Sequence, residues 1–394
     1  MNTAPSQSSD RRILRLTALG LGLFFVAGAT QALYGPLFPL FRSDFGLPES
    51  DAGVLVALHS AGGLLGIALW TLGVPRIGMR RALAVGIAIF VVGSWLLGVG
   101  TTWLAARAGA ACTGLGFGGI VLGTNQLFAS GFGKRGAAVL NLINAAFGVA
   151  AVTSPLAAVL LPETARRLVF AAFGVLALLL IPLLGSISPD RRGPIERTGS
   201  ATAATPGGGR SVITTILFMA LFLLYVAVES SVAAWETTYL IARGYSAEAG
   251  AAWTAAFWGA IAVGRIGAAP LSMRVRPRTM VLSCLLVTVA ALAVVPISGR
   301  AIPGVFIAVG LALAAVFPTS FVWLTRALPN SRVASGLALA AGMLGGMSGS
   351  SLVGEVVARW GIDAAPWALT ALAALGLGCA ALLYMRAHDA VAEG

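Results

Sequence analysis

Long apolar runs without charge are the feature that most constrains this chain. Residues 212–228 form seventeen consecutive uncharged, mostly apolar positions, nearly enough to cross the roughly 30 Å hydrocarbon core of a bilayer. Similar runs recur along all 394 residues, and only 10% of the residues are charged, against about 25% in a soluble domain. The sequence therefore predicts an all-α membrane protein with many spans.

The apolar runs predict twelve transmembrane helices, here called spans 1 to 12. Their predicted ranges are 13–38, 51–72, 80–100, 103–130, 136–160, 166–186, 211–241, 248–270, 278–298, 301–325, 332–357 and 364–386. Span 1 is too long for the core of a signal peptide and has no clear cleavage site, so we expect it to remain in the membrane. Most connections are short, which favours antiparallel neighbours.

The basic residues divide unevenly between the two sides of these spans. Eighteen of the 26 Lys and Arg residues fall on the side that holds both termini, and six fall on the other. Cytoplasmic loops carry the excess of Lys and Arg, so we expect a multi-pass protein of the cell inner (cytoplasmic) membrane with both termini cytoplasmic. The net charge of +12 reflects these loops and does not indicate nucleic-acid binding.

Residues 187–210 interrupt the series of spans with a stretch rich in Ser, Thr, Gly and Pro, which is the composition of a linker. We therefore predict two six-helix, pseudo-symmetric halves. The predicted divisions are a disordered cytoplasmic N-terminus at 1–10, an N-terminal half at 11–186, a cytoplasmic linker at 187–210, a C-terminal half at 211–387 and a cytoplasmic tail at 388–394.

Several chemical functions find no support in the residue pattern. Cys112, Cys284 and Cys379 lie in apolar segments without paired spacing, which predicts neither disulfides nor a metal site. No nucleophile–base constellation appears, so we expect no enzyme and no cofactor. The glycines of 114–123 and 342–349 lie inside predicted spans, where small residues allow helices to pack closely, so we do not interpret them as phosphate-binding loops.

Two sets of six helices, each with a tight basic loop, resemble the major facilitator superfamily of transporters. The loops read PRIGMRR at 75–81 and MRVRPR at 273–278. The family's first loop usually has an Asp, then Arg, Gly and two basic residues. Arg76, Gly78, Arg80 and Arg81 match, and Pro75 stands where the Asp is expected. The resemblance implies a cytoplasmic gate at Arg76, Gly78, Arg80, Arg81 and Arg265, and a monomer.

Four stretches narrow the resemblance to the fucose-permease-like sugar transporters. They read LNLINAAFGVAAVTSP at 140–155, YVAVESSVAAWETTYL at 225–240, FWGAIAVGR at 257–265 and GLALAAVFPTSF at 310–321. The chain departs from that group at Val121, where relatives often carry an acid, at Asn144, where many have His, and in span 1, which has no carboxylate. Glu229 is the family-matching membrane acid that remains.

In this superfamily spans 1, 4, 7 and 10 line the cavity, so the resemblance implies where solute would bind. Amide side chains suit the hydroxyl groups of a sugar, and aromatic rings suit its C–H faces. The candidate substrate-binding residues are Gln31, Tyr34, Asn125, Gln126, Asn144, Tyr225, Glu229, Trp235 and Trp323.

Glu229 is the leading candidate for proton coupling, because a carboxylate at membrane depth costs on the order of 2.5–3.5 kcal/mol. Its alternative is a structural role between helices. Tyr225 and Glu236 share its helix face or nearly so, and we expect Glu236 to be solvated near the outer rim. We expect Arg265 to lie at the cytoplasmic interface, with pairing to Glu229 as the alternative. His59 is a second proton candidate, or a satisfied packing residue.

Two functions follow from this pattern. The first is a secondary active transporter that moves a small polar solute, a sugar or similar polyol, by alternating access, with a small-molecule substrate, the lipid bilayer and protons as partners. The alternative is an exporter of amphipathic drugs or metabolites on the same fold. A third class, a membrane sensor that transports nothing, has no direct support.

Overall fold

The structure of the protein is a computed structural model that describes residues 7–47, 54–132, 135–187, 210–329 and 331–392. Within these ranges the chain forms thirteen α-helices and several short 3₁₀ segments. The helices are α1 (Gln7–Phe45), α2 (Val54–Ile77), α3 (Met79–Val99), α4 (Trp103–Gly131), α5 (Gly136–Val159), α6 (Leu168–Leu179), α7 (Arg210–Ala242), α8 (Ala247–Arg274), α9 (Pro277–Val294), α10 (Ile302–Leu313), α11 (Val316–Ala327), α12 (Arg332–Trp360) and α13 (Ala365–Ala392).

The predicted number of membrane spans is confirmed. Among the described residues, twelve helical segments are long and apolar enough to cross a bilayer, and each overlaps one predicted span. Span 6 is more irregular than predicted, because α6 ends at Leu179 and continues as the 3₁₀ segment Ile181–Ser186. Span 10 consists of two helices, α10 and α11, in place of the single predicted one.

The break in span 10 follows from Pro318. Proline has no N–H to donate, and its ring clashes with the carbonyl four residues earlier, which here is that of Ala314. Ala314 and Ala315 form the turn between α10 and α11. The carbonyl of Ala315 keeps a partner, since the N–H of Thr319 donates to it at 3.2 Å. The carbonyl of Ala314 has lost its usual intrahelical donor.

Of the three predicted regions outside the two halves, the N-terminus and the linker fall mostly outside the described residues, and the tail falls mostly within them. Of the N-terminus predicted to be disordered, residues 1–6 are outside, and Gln7–Asp10 belong to α1. Of the predicted linker, 188–209 are outside. Of the predicted tail, α13 includes the residues up to Ala392, and 393–394 are outside.

The chain divides into two compact units. The first comprises Met1–Leu127 and Ala146–Arg197, and the second comprises Phe128–Ala145 and Thr198–Gly394. The first ten residues of α5 therefore belong to the second unit, together with α7 to α13.

Small residues bring α2 and α4 into backbone contact within the first unit. A Cβ at Gly62 or Gly66 would meet the carbonyl oxygen of Ala111 or Leu115 on α4, and one at Gly114 would meet the carbonyl of His59. No larger side chain fits between these helices, so the packing role predicted for the glycines of 114–123 is confirmed.

Helix α7 is the centre of the second unit. It packs most extensively against α12 and α13, and also against α8, α10 and α11. Along α12, Gly345 faces the carbonyl of Leu223, and a Cβ at Gly349 would lie 2.6 Å from the Cα of Ala227. The glycines of 342–349 thus also serve close packing. This core fixes the rotation of α7, and with it the direction in which its acidic residues point.

Candidate functional site

A polar pair lies in the middle of α7, in the second unit. Tyr225 and Glu229 are one helical turn apart and share a face, as their spacing predicts. The Tyr225 hydroxyl donates to Oε1 of Glu229 at 2.9 Å. Both side chains are buried, and the Tyr225 ring lies 6.2 Å from that of Phe317 on α11. The carboxyl is therefore held in a fixed orientation inside the unit.

Arg265 on α8 completes this cluster. One of its terminal nitrogens lies 3.4 Å from Oε1 of Glu229, another donates to the Asn144 carbonyl on α5 at 3.1 Å, and Nε donates to the Ala314 carbonyl at 3.4 Å. The side chain is only 8% exposed. The expectation that Arg265 lies at the interface is therefore wrong, and the alternative, pairing with Glu229, is the observed arrangement.

The cluster compensates the burial of two charges. Taking an isolated carboxylate or guanidinium out of water is costly, and mutual attraction offsets this only when further hydrogen bonds satisfy the ions. The planar guanidinium meets that condition through three different acceptors. One of these, the Ala314 carbonyl, is available because Pro318 has no N–H. The sequence shows the proline, but it does not show that the carbonyl freed by this proline accepts a hydrogen bond from Arg265.

One oxygen of the cluster remains open. Both recorded bonds of Glu229 use Oε1, and Oε2 accepts none from the residues that the structure describes. A carboxylate oxygen accepts hydrogen bonds only, so Oε2 can accept from a hydroxyl or amine of a solute.

The asparagines of α5 use their amide N–H groups mainly within their own helix. Nδ2 of Asn141 donates to the Ala137 carbonyl and Nδ2 of Asn144 to the Leu140 carbonyl, each at 2.8 Å. Nδ2 of Asn141 also lies 3.5 Å from Oγ1 of Thr319 on α11. The contact of this part of α5 with α8 is made by the main-chain carbonyl of Asn144 and not by its side chain.

A second buried polar pair lies in the first unit. The Tyr34 hydroxyl and Nδ1 of His59 are 3.1 Å apart, and the imidazole packs against the ring of Phe117 at 5.0 Å. Nε2 of His59 is buried without a partner among the described residues. The structure therefore brings the predicted site residues Tyr34 and His59 together. Gln31, on the same helix as Tyr34, is exposed.

The other candidates of the first unit are held by neighbours. Nδ2 of Asn125 donates to the Val121 carbonyl at 2.8 Å, within α4. Oε1 of Gln126 accepts from the indole N–H of Trp70 at 3.2 Å. Both side chains are buried.

The two candidate tryptophans of the second unit are not bonded to the Glu229 cluster. The indole N–H of Trp235 donates to the Ser350 carbonyl on α12 at 3.0 Å. Trp323 is buried, with its ring 5.4 Å from that of Phe218 in an edge-to-face contact. These contacts give both residues a packing role between helices.

Glu236 differs most from its prediction. It was expected to be solvated, yet it is 1% exposed, and both carboxyl oxygens are buried without a hydrogen-bond partner among the described residues. The expectation is wrong because α8 lies alongside α7 at this level, where Thr237 and Thr254 are hydrogen-bonded at 2.9 Å.

The predicted gate residues of the first loop lie at and beside the one-residue turn between α2 and α3. Gly78 links the two helices with φ +82°, a backbone conformation that favours glycine. Arg76 donates to the Leu72 carbonyl at 2.7 Å, and Arg76, Arg80 and Arg81 are exposed. Their assignment to a gate stays a prediction.

Comparison with known proteins agrees with the architecture. The family model described as Major Facilitator Superfamily matches residues 20–342. No curated protein matches the chain.

Solved structures of transporters have the same fold. FucP, a Major Facilitator Superfamily transporter solved in the outward conformation, matches with a TM-score of 0.79 and 16% identity over 93% of this chain and 98% of its own. A variant of the Escherichia coli fucose:proton symporter FucP matches at 0.76 and 15%, over 93% and 98%. The proton:xylose symporter XylE, solved with 6-bromo-6-deoxy-D-glucose, matches at 0.73 and 16%, over 93% and 95%. At this identity the likeness concerns the fold, and the predicted fold class is confirmed.

Proposed function

The chain belongs to the Major Facilitator Superfamily, and from this premise we propose that it is a secondary active transporter of a small polar solute, a sugar or similar polyol, with proton coupling. Alternating access around a site at membrane depth is the mode of action that the fold supports. The uneven distribution of Arg and Lys supports a location in the cytoplasmic membrane with both termini cytoplasmic.

The observation that carries the proposal is the Tyr225–Glu229–Arg265 cluster. Charged side chains inside membrane spans mark solute or ion pathways by default. Here a carboxylate is fixed by a hydroxyl and a guanidinium, and Oε2 remains available as an acceptor. A sugar hydroxyl can donate to that oxygen. Loss of this carboxylate should therefore weaken transport.

Two further observations favour a sugar over other polar solutes. The stretches at 140–155, 225–240, 257–265 and 310–321 resemble those of fucose-permease-like transporters, and FucP and XylE, which are named as symporters of fucose and xylose with protons, share the fold. Because the identity is low, the particular sugar is to be identified by testing a panel of candidates.

The test is uptake of labelled sugars into liposomes that contain the purified protein. We expect saturable uptake of at least one sugar, accompanied by alkalinisation of the medium, because a symported proton enters with the solute. Glu229→Gln should lose most of this uptake. Glu355→Gln is the matched control, since Glu355 is an exposed acid that pairs with Arg359 on α12 at 2.7 Å, and it should transport like the wild type.

A different outcome would support the alternative function, export of amphipathic compounds. The asparagine amides already bonded within their helices and the aromatic contacts of His59 with Phe117 favour that alternative. If no sugar is taken up and the liposomes instead extrude amphipathic dyes, the sugar proposal is wrong and export replaces it.

A further inference from the structure

Glu236 is a buried acid that neither the cluster around Glu229 nor any ion pair explains. It is 1% exposed, and its two oxygens have no hydrogen-bond partner among the residues that the structure describes. An ionised carboxylate without a partner in such a site is very unfavourable, so the group takes up a proton instead.

Three of the described basic groups on and around α7 are paired with other acids. Arg265 pairs with Glu229, Arg359 with Glu355, and Arg243, just beyond α7, with Asp363. The remaining titratable side chains described on the helices packed against α7 are Arg274, Arg326, Cys379, Tyr384 and Arg386. All five lie in the halves of their helices that run toward the end where α7 begins. Glu236 lies near the opposite end of α7.

Glu236 lies on the same face of α7 as the candidate solute site. Seven residues separate it from Glu229, which is two turns or about 10 Å along the axis. In the other direction come Tyr239 and then Arg243, which donates to the Tyr239 hydroxyl at 3.0 Å. Beyond them is a cavity of about 510 Å³ lined in part by Arg243, Tyr245 and Arg300. Glu236 is thus between this cavity and the Glu229 cluster.

The groups around Glu236 can hydrogen-bond with both the protonated and the ionised form of its carboxyl. The Thr254 hydroxyl on α8 is a polar neighbour of the carboxyl and is itself bonded to Thr237. A hydroxyl can accept from a protonated carboxyl or donate to a carboxylate. No described cation fixes the charged form, in contrast to Glu229.

We propose that Glu236 is the group that carries the coupled proton, whereas Glu229, paired with Arg265, stays ionised and contacts the solute. On loading, the Glu236 carboxylate accepts one proton from water and becomes the neutral acid. On release, the proton returns to water on the other side and the carboxylate re-forms, with no other bond changed. This proposal rests on the proposed function, and it replaces Glu229 and His59 as proton carriers.

The first test separates coupling from solute movement. Liposomes containing wild type, Glu236→Gln or Glu355→Gln are assayed for sugar accumulation driven by a pH gradient, and for exchange of labelled against unlabelled sugar without a gradient. Glutamine mimics the protonated acid, so we expect Glu236→Gln to lose accumulation and keep exchange. Glu355→Gln should keep both. Glu236→Asp, which restores a titrating group, should recover part of the accumulation.

A second measurement needs no solute. The infrared band of a protonated carboxylic acid, followed while the pH is raised, should be weaker in Glu236→Gln than in the wild type, and unchanged in Glu229→Gln. This readout reports the proton directly and remains available if the panel contains no substrate.

The outcomes distinguish the two proposals. Accumulation that remains driven by the pH gradient in Glu236→Gln would overturn the role of Glu236 and leave transport standing. Sugar uptake by the wild type that does not depend on the pH gradient would also overturn the role of Glu236. Absence of any sugar transport would overturn the proposed function, and the infrared band would then decide: its persistence in Glu236→Gln overturns the proton site, and its loss supports it.

Discussion

At the scale of single residues, the buried pair of Arg265 and Glu229 should respond to mutation very differently from an exposed pair. Removing one partner of a buried ion pair leaves an uncompensated charge and costs on the order of 3–5 kcal/mol. We therefore expect Arg265→Met to lower the thermal unfolding temperature in detergent substantially. Combining it with Glu229→Gln should restore part of the loss, because no isolated charge then remains.

The chain contains its own control for this experiment. Arg359 and Glu355 form an Arg–Glu pair on α12 at 2.7 Å, with side chains 65% and 63% exposed. Surface pairs contribute about 0–1 kcal/mol, so Arg359→Met should leave the unfolding temperature nearly unchanged. Equal decreases in unfolding temperature in the two Arg variants would show that the buried Arg265–Glu229 pair contributes no more to stability than the exposed pair.

Contacts along one helix were predictable from sequence, and contacts across helices were not. The pairs Tyr225–Glu229 and Glu355–Arg359 follow from a four-residue spacing, and both are observed. The positions of Arg265 and Glu236 were predicted wrongly. Depth along the axis can be counted in residues, but the rotation of a helix depends on the packing of its neighbours. Here that packing turns Arg265 toward α7 and covers Glu236 with α8.

At the scale of helices, the contact of α7 with α12 depends on glycine. A Cβ at Gly345 would meet the carbonyl oxygen of Leu223, and neither backbone can yield without moving a helix. We expect Gly345→Ala to destabilise the protein by about 1–3 kcal/mol, measured as a lower unfolding temperature in detergent.

Gly378 on α13 provides the matched comparison for this prediction. A Cβ at that position meets nothing within 4 Å, so Gly378→Ala should be neutral or stabilise the helix by about 0.5–1 kcal/mol. A Gly345→Ala variant that is as stable as Gly378→Ala would contradict the close contact of α7 and α12.

The extent of the helices was largely predictable, because the hydrophobic thickness of a bilayer fixes how long an apolar segment must be. The predicted span 211–241 corresponds to Arg210–Ala242, and 136–160 to Gly136–Val159. The division of span 10 was missed. Proline is tolerated inside some membrane helices, and whether it breaks one depends on which groups re-satisfy the backbone. That information lies in α8, on another part of the chain.

At the scale of the whole molecule, the proposed orientation in the membrane gives a direct prediction. In a background without Cys112, Cys284 and Cys379, single cysteines are placed at Arg276, between α8 and α9, and at Arg300, between α9 and α10. Both positions are exposed. A membrane-impermeant maleimide applied to intact cells should label Arg300→Cys, whereas Arg276→Cys should require permeabilised cells. The reverse pattern would place the termini outside.

The hydrogen bonds of Arg265 have a mechanical consequence. One guanidinium bridges α7, α8, the turn between α10 and α11, and the first part of α5. These elements meet at a shared joint, so none can shift far without stretching bonds of the others. A solute that draws Glu229 away from Arg265 would weaken this shared set of hydrogen bonds. Binding at one site would then allow several helices to move at once.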